Sequence, residues 1–450
     1  MNYIGFSLLF ASEPGLYLLS LACALVVYLP IIRLRVRSIF DPLGQNLVFA
    51  MFSGAIVFFL AFTRQIEQHY TIQFFASEFL YLAGLLAFWK HRRESRLNDT
   101  RVANPEHKLL LQSLYLCSAC VFIISQGAAY ATGGIPLFYE SRLDYYAAGG
   151  GFGFLSRIIS VSSFFCWYLL IYRFAYRWKI AFWPKIGDLL VIACLVLSAL
   201  LSGSKSTFVA VLFMLYYFRL FHRGSRFYSE QQDRLFVRGQ KLIFTGAIAG
   251  VLAVLISTGH AGGVGQALYQ FYYRVVLSGD GYFMAYPNDV LRRVNGGSAL
   301  LAILGGSLNM IRLVGPEQLS EPLGFQLFHL TGGVGSFGPN PRHNLFGLIY
   351  FGTLGSLIYS ACLGLLVAYI RNVGVRFVRL GGMSELIYVF VAISVVAVNI
   401  DINLFVSDVT NLLVVGIPLI LAAHTLSLAA RSAVWESEDD TRKHLAMGSS

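Results

Sequence analysis

Cationic side chains are concentrated in a long stretch between two apolar runs, from Gly259 to Gly355, and a histidine lies near its end. His343 stands between an arginine and an asparagine, follows two prolines, and directly precedes a new apolar run. Imidazole titrates near neutral pH, so a histidine here is a candidate general base, with a structural histidine as the alternative. Guanidinium groups hold phosphate through paired hydrogen bonds. The candidate phosphate ligands in this stretch are Arg274, Arg292, Arg293, Arg312 and Arg342.

Two of these positions have a second interpretation. The neighbouring Arg292 and Arg293 either bind pyrophosphate or lie against lipid headgroups. Asp280, in a Ser-Gly-Asp-Gly sequence, is either a base or a loop cap. The stretch as a whole favours chemistry on an anionic substrate.

A shorter polar segment, 127–153, contains a single arginine and a run of glycines. Arg142 and Gly153 are separated by ten residues. Glycine permits irregular backbone and close approach, and arginine binds phosphate or a sugar hydroxyl. The alternative is an ordinary charged loop in which Arg142 pairs with Glu140 or Asp144.

Lys205 lies in a tight connection between two apolar runs, flanked by Ser202, Ser204 and Ser206. Its ammonium group is a candidate ligand of a diphosphate, with the three hydroxyls beside it. The alternative is a lysine whose charged end simply reaches the membrane surface.

The sequence offers little for a metal or a redox cofactor. No Asp-x-Asp pair lies in the polar stretches, and no histidine and cysteine cluster has ligand spacing. The 6 cysteines all lie inside apolar runs, which argues against a disulfide framework. We therefore predict neither a metal nor a cofactor.

The composition defines the elements that must position these side chains. Of 450 residues, 56% are hydrophobic and only 13% are charged, against about 25% in a soluble protein. The chain is therefore predicted to be a polytopic membrane protein of the all-α class. Its net charge of +11 lies mostly in short loops between apolar runs, so nucleic acid is not expected as a partner.

Eleven apolar segments have the length that a membrane span requires. They lie near 15–32, 47–63, 71–89, 109–127, 154–172, 187–203, 205–221, 242–258, 344–370, 384–400 and 411–430. One set of connecting loops holds 25 of the 34 lysines and arginines, which places those loops in the cytoplasm. The N-terminus is then outside and the C-terminus inside.

This topology gives one integral membrane domain over 1–450, with a large outer loop, 259–343, and a smaller one, 127–153. The apolar segment from Ser298 to Val314 would reverse the charge asymmetry if it crossed the membrane. We predict that it is an interfacial or re-entrant helix within the large loop.

Three motifs together resemble those of the bacterial O-antigen polymerases (Wzy-type) and the related O-antigen ligases. They are Arg142 with Gly153, the Ser-Gly-Ser-Lys hairpin that ends in Lys205, and His343-Asn344 followed by Gly352 and Gly355. The layout agrees over nearly the whole chain. A lysine replaces the more usual arginine in the hairpin, and a second Arg-x10-Gly pattern in the large loop is missing.

The resemblance implies a membrane glycosyltransferase of the GT-C type in the bacterial inner membrane, with its active site facing the periplasm. It would transfer a growing glycan from undecaprenyl pyrophosphate to a lipid-linked repeat unit, with inversion and without a metal. His343 would be the base, and the arginines, with Lys205, would stabilise the pyrophosphate. A chain-length regulator and a flippase would be candidate protein partners.

Two alternatives are retained. An O-antigen ligase would transfer the glycan to lipid A-core instead. A lipid-glycan flippase or transporter would need a polar path at mid-membrane, often between repeated halves. The polar residues here gather at one face, which favours the enzyme.

Overall fold

The computed structural model describes residues 1–88, 105–138, 153–176, 182–202, 206–223, 225, 228–257, 265, 277–335 and 338–447. These residues form helices and turns, and no strand occurs among them. Seven helices in the described ranges are long and apolar enough to cross a membrane. The predicted class, an all-helical membrane protein, is thereby confirmed.

The described helices are numbered in chain order. They are α1 (Tyr3–Ser12), α2 (Pro14–Arg35), α3 (Pro42–Phe62), α4 (Gln68–Leu85), α5 (Pro105–Gly133), α6 (Gly153–Ala175), α7 (Phe182–Leu201), α8 (Ser206–His222), α9 (Glu230–Ser257), α10 (Asp280–Ala285), α11 (Val290–Arg293), α12 (Ala299–Met310), α13 (Leu323–Leu330), α14 (Arg342–Asn372), α15 (Gly382–Ser394), α16 (Ile402–Asn411) and α17 (Ile417–Met447).

Each of the eleven predicted apolar segments coincides with one or two of these helices. Helices α7 and α8 are apolar but short, and α4 and α9 are more polar than the seven clear spans. A total of eleven spans therefore stays a prediction. Helix starts follow the expected chemistry: Asp41 Oδ1 accepts a hydrogen bond from Leu43 N at 3.0 Å, and proline occupies the first turn of α3.

Arg35, at the end of α2, and Arg371, at the end of α14, lie at the same end of the bundle. We call this the basic end. Arg371, in the last turn of α14, donates two hydrogen bonds of 2.8 Å to Asp41, at the start of α3. Tyr216 of α8 donates to the same carboxylate at 3.1 Å. Burial alone would raise the pKa of Asp41, but the charge and hydrogen bonds of Arg371 outweigh it and lower that pKa.

A second buried carboxylate joins further helices at the basic end. Glu385 of α15 accepts hydrogen bonds from Tyr168 and Tyr172 of α6, and lies 2.9 Å from Nε2 of His222. The first residue of α15 contacts α5, because Gly382 N donates to His107 Nε2 at 2.7 Å. Helices α5, α6, α8 and α15 thus have neighbouring ends.

The buried apolar side chains form two clusters. The first is built by α5 to α8, the start of α15 and the start of α17. The second is built by α1 to α4, α10, α14 and residues 395–402. The segment that follows α15 therefore passes from the first cluster to the second.

Helix α14 is a hairpin of two antiparallel arms rather than one span. Gly352 has φ 69° and ψ −174°, a backbone conformation that interrupts the helix and that only glycine adopts readily. A Cβ atom on Gly347 would lie 3.0 Å from Cα of Ser356, so the arms 342–351 and 353–372 are in close contact. The sequence predicted one continuous span over 344–370, whereas the structure makes Gly352 a reversal point within it.

The second arm of α14 packs against α4 with almost no space between the backbones. A Cβ atom on Gly364 would lie only 2.2 Å from the carbonyl oxygen of Tyr81, and one on Gly84 would lie 2.8 Å from that of Ala361. Small residues allow such contact between helices. This contact brings the polar face of α4 to the inner side of the hairpin.

The long polar stretch folds back into the second cluster. Ser53, in the middle of α3, donates a hydrogen bond to the carbonyl of Ser278 at 2.9 Å. The ring of Phe283, in α10, stacks on Phe6 of α1 at 4.3 Å. Part of the predicted outer loop is therefore core structure.

The segment from Ser298 to Val314 contains a helix, as predicted, but a short one. Ser298 caps the N-terminus of α12, and Ser307 lies 2.8 Å from the hydroxyl of Thr410 in α16. At 12 residues α12 is about 18 Å long, too short to cross a bilayer. Its packing on α16 agrees with a re-entrant or interfacial helix.

Candidate functional site

His343 lies inside the α14 hairpin and not at the surface. Its Nδ1 is 2.9 Å from Ser360 Oγ on the opposite arm, and its Nε2 is 3.1 Å from Glu78 Oε2 of α4. Tyr81 stacks on the ring at 4.6 Å, and only 3% of the residue is exposed. Both ring nitrogens are therefore engaged within the protein, with Nε2 suited to donate to the carboxylate and Nδ1 to accept from the hydroxyl.

Glu78 is the centre of this buried polar cluster. Tyr28 of α2 donates to its Oε1 at 2.7 Å, and Asn344 Nδ2 donates to its Oε2 at 3.2 Å. Asn344 in turn accepts from Tyr282 of α10 at 2.7 Å. A buried carboxylate is tolerated when it is paired and fully hydrogen-bonded. The cluster thus joins α2, α4, α10 and α14.

From the sequence, His343 was a candidate general base directly before an apolar run, but the structure places it inside the bundle. The first arm of α14 runs back along the second arm, so the residue at its start lies beside Ser360 instead of at the bundle surface. The pattern of two prolines followed by an apolar run indicated a helix start correctly, but it did not indicate the reversal at Gly352.

Arg342 is also turned inward. Its backbone has φ 48°, and its N–H donates to the carbonyl of Ile400 at 2.9 Å. Its guanidinium group donates to the carbonyls of Phe49 and Ser278 at 3.3 and 3.5 Å. In this conformation the side chain stabilises the folded-back stretch.

Asp280 connects this stretch to the N-terminal helix. Its carboxylate accepts hydrogen bonds from the hydroxyl of Tyr3 at 2.8 Å and from Gly281 N at 3.0 Å. Burial raises the pKa of Asp280 to about 6, although these hydrogen bonds act to lower it. Both interpretations from the sequence, base and cap, are compatible with these contacts.

Three further arginines of the stretch lie at the surface. Arg292 is 3.6 Å from Asp289, with a largely exposed side chain, and Arg293 donates to the carbonyl of Asn288 at 3.5 Å. Arg312 is exposed and has φ 59°. None of these three forms a hydrogen bond with the His343 cluster in the described part of the chain. Arg274 lies outside the described residues.

A cavity of about 480 Å³ lies in the first cluster, far along the helices from the basic end. Its wall on α6 presents Ser156, Ser160 and Ser163, and a second wall presents Ser198 of α7 and Ser202, the residue after the end of α7. These serines are spaced by three or four positions, so each set lies on one helix face. The cavity is therefore lined by rows of hydroxyl groups.

Amide and aromatic groups complete the polar lining. Gln126 and Tyr130 come from α5 and Trp167 from α6. Asp408 of α16 is the one carboxylate among the described lining residues. Small-molecule sites typically measure about 300–1,000 Å³ and combine an apolar wall with a few polar groups, and this cavity fits that description.

Two sequence motifs adjoin this cavity along the chain. Pro136 and Ser156 line it on either side of the segment that carries Arg142, and Ser202 and Thr207 line it on either side of Lys205. Gly153 is the first residue of α6. Arg142 and Lys205 themselves lie outside the described residues.

The sequence analysis missed the serine rows. Ser156, Ser160 and Ser163 recur at intervals of four and three, which is a helical period and was available as a signal. That signal indicates only a polar helix face, however. The meeting of several such faces at one cavity depends on tertiary packing.

Within the described residues, no group of three or more histidine, cysteine, aspartate or glutamate side chains is arranged to hold a metal ion. Metal independence stays a prediction, because segments next to the cavity are outside those residues.

Comparison with protein-family models, with curated proteins and with solved structures gives no match for this chain.

Proposed function

We propose that this protein is a membrane glycosyltransferase that polymerises oligosaccharide repeat units, in the manner of an O-antigen polymerase. The observation that carries the proposal is the hydroxyl-lined cavity. Its lining residues flank, along the chain, the segments that contain Arg142 and Lys205. A binding chamber and two candidate pyrophosphate ligands are thereby neighbours along the chain.

The chemistry of the lining favours a sugar. Hydroxyl and amide side chains donate and accept hydrogen bonds with equal ease, which matches the hydroxyl groups of a saccharide. Trp167 and Tyr130 offer aromatic surface for the apolar face of a sugar ring and retain a polar atom for hydrogen bonding.

The proposed donor is a glycan on undecaprenyl pyrophosphate. Its pyrophosphate is a good leaving group when cations stabilise the charge that develops on it, and no ATP is then required. Arg142 and Lys205 are the proposed cations, with Arg274, Arg292, Arg293 and Arg312 as further candidates from the long stretch. Attack opposite the leaving group inverts the anomeric carbon.

The proposed membrane setting follows the positive-inside rule. The basic end, with Arg371 and Arg35, would face the cytoplasm, and the cavity would open toward the periplasm. The bilayer would supply both lipid-linked substrates laterally. A bacterial inner membrane is the compartment in which such substrates occur, and a flippase and a chain-length regulator would act beside this enzyme.

The proposed role of His343 changes with its location. A base must reach the substrate hydroxyl within about 2.6–3.2 Å, and both nitrogens of this ring are bonded to Ser360 and Glu78. His343 would act as a base only if the cluster opened. Its contacts support a positioning role, in which it holds the hairpin beside α4.

Glycan display in cells that lack the gene tests the proposal. A polymerase predicts loss of long chains while a single repeat unit remains attached, and the wild-type gene should restore the chains. Loss of all attached glycan would instead identify a ligase. Accumulation of the lipid-linked unit on the cytoplasmic leaflet would identify a flippase.

A further inference from the structure

Asp408 lines the cavity, and the proposed function assigns it no role. It lies on α16 and faces the chamber with the hydroxyl rows of α6 and α7. The hydroxyl of Ser394, another lining residue, is its side-chain hydrogen-bond partner. The described lining contains no other carboxylate. A single acidic group therefore faces a chamber suited to sugars.

Asp41, Glu78 and Glu385, the fully buried carboxylates of the described residues, have basic partners. Asp41 pairs with Arg371, Glu78 with His343, and Glu385 with His222. No such ion pair involves Asp408 within the ranges that the structure describes. A carboxylate in an apolar bundle is costly, so one that has no basic partner is a candidate for function.

The backbone around Asp408 is irregular in a way that often accompanies function. Helix α16 leads into a π-helical turn, Leu412–Gly416, immediately before α17. Such turns are rare and frequently occur at functional sites. Asn411 is held at this turn by Arg157 of α6, which donates to its side-chain oxygen at 2.9 Å. The position of Asp408 is thus fixed relative to the serine row of α6.

We propose that the cavity binds the acceptor sugar and that Asp408 is the general base of the transfer. This inference rests on the proposed function. The acceptor hydroxyl oxygen forms a bond to the anomeric carbon of the donor, and the bond from that carbon to the pyrophosphate oxygen breaks. The pyrophosphate takes the electron pair, and the Asp408 carboxylate takes the hydroxyl proton. Undecaprenyl pyrophosphate leaves with the charge that the cations stabilise.

The test uses purified full-length protein in lipid nanodiscs. The substrate is the undecaprenyl-pyrophosphate-linked repeat unit extracted from source cells that lack this protein, and chain growth is followed on gels over a range of substrate concentrations. We expect Asp408→Asn to lower kcat by about 10²- to 10⁴-fold, the contribution of a general base, with KM and thermal stability nearly unchanged. Asp408→Glu should recover part of kcat.

Asp401→Asn is the matched control. Asp401 caps α16 by accepting from Asn403 N at 2.9 Å, asparagine also caps helices, and this residue is absent from the described cavity lining. The control should polymerise at the wild-type rate.

Three results would be decisive. Asp408→Asn with a kcat within about threefold of wild type would overturn the assignment of the base and leave the proposed function intact. An unstable Asp408→Asn together with a fully active Asp408→Glu would also overturn it, because the residue would then be structural. Absence of polymer with the wild-type protein would instead count against the proposed function.

Discussion

His343 Nδ1 lies 2.9 Å from Ser360 Oγ, although the two residues are 17 positions apart in one helical segment. In a straight helix that separation would be about 25 Å. The short distance requires the reversal at Gly352, and the reversal explains why a histidine at the start of a predicted span lies inside the bundle. The hairpin of α14 therefore determines which groups His343 contacts, and its place in the long polar stretch of the sequence does not suffice to predict them.

Replacement of His343 separates a positioning role from catalysis. His343→Ala removes the partner of Glu78 and leaves a buried carboxylate partly uncompensated, so we expect a loss of about 2–4 kcal/mol in the free energy of unfolding. Thermal unfolding in detergent measures this effect. His424→Ala, at an exposed position of α17, should leave the stability unchanged. A His343→Ala protein of normal stability that makes no polymer would restore the base role predicted from the sequence.

Gly352→Ala tests the hairpin itself. No atom lies within 4 Å of the added Cβ, so the substitution acts through the backbone alone, at φ 69°. A strained conformation of this kind costs about 1–3 kcal/mol, and the melting temperature should fall accordingly. Gly306→Ala is the control, because Gly306 lies in α12 with open space around it and a negative φ. Equal melting temperatures for the two variants would argue against a hairpin.

The raised pKa of Asp280 predicts that the stability of the protein depends on pH. Its pKa rises from the ordinary 3.8 to about 6 in the folded protein because of burial. Between these values the folded state binds more protons, so the free energy of unfolding decreases as pH rises from about 4 to about 6, by about 2–3 kcal/mol. The stabilisation that comes from protonated Asp280 is complete below about pH 4 and lost above about pH 6.

Unfolding curves of the wild type and Asp280→Asn between pH 4 and pH 8 measure this contribution. The variant should lose the slope and be the more stable of the two near pH 8. Asp289→Asn, at a largely exposed carboxylate, should follow the wild type. An unchanged slope in Asp280→Asn would assign the effect to another group.

The membrane orientation is tested with single cysteines in a background from which the native cysteines have been removed. Gln65 lies in the connection between α3 and α4, at the end remote from Arg371, and Ser229 lies at the start of α9. Both are exposed. We expect an impermeant reagent to label Gln65→Cys in intact cells and Ser229→Cys only after lysis. The reverse pattern would place the cavity on the cytoplasmic side and rule out the proposed chemistry.

The helices were largely predictable because apolar length and charged flanks are local properties. Arg33 and Arg35 close α2, and Pro42 opens α3, as the sequence indicates. The start of α14 at Arg342 was likewise indicated by the prolines before it. Type and approximate bounds of these elements follow from the sequence alone.

The folding back of the long stretch was not predictable from local patterns. The tyrosine in Gly281-Tyr282-Phe283 resembles an interfacial aromatic, yet Tyr282 is buried and bonded to Asn344. Glu78 lies within an apolar run of the sequence, but nothing local identified His343 as its partner. Long-range pairing of this kind depends on how the arms of α14 fit against α4.

The candidate site was predictable only in part. Lys205 and Arg142 were singled out by charge at unusual positions, and the structure places the cavity between residues that flank them. The cavity itself results from serines on separate helices that meet in the folded bundle. The position of Asp408 in the wall of this cavity became visible only from packing.

The most direct test of the account is chain growth by the purified protein in nanodiscs, with the extracted undecaprenyl-pyrophosphate-linked repeat unit as the only substrate. The account predicts a ladder of longer glycans and one undecaprenyl pyrophosphate released for each bond formed. It also predicts that Arg142→Ala and Lys205→Ala slow this growth by about 30- to 1,000-fold, since each cation would stabilise the transition state by about 2–4 kcal/mol. A folded wild-type protein that leaves the repeat unit unchanged, or that only moves it across a bilayer, would contradict the account.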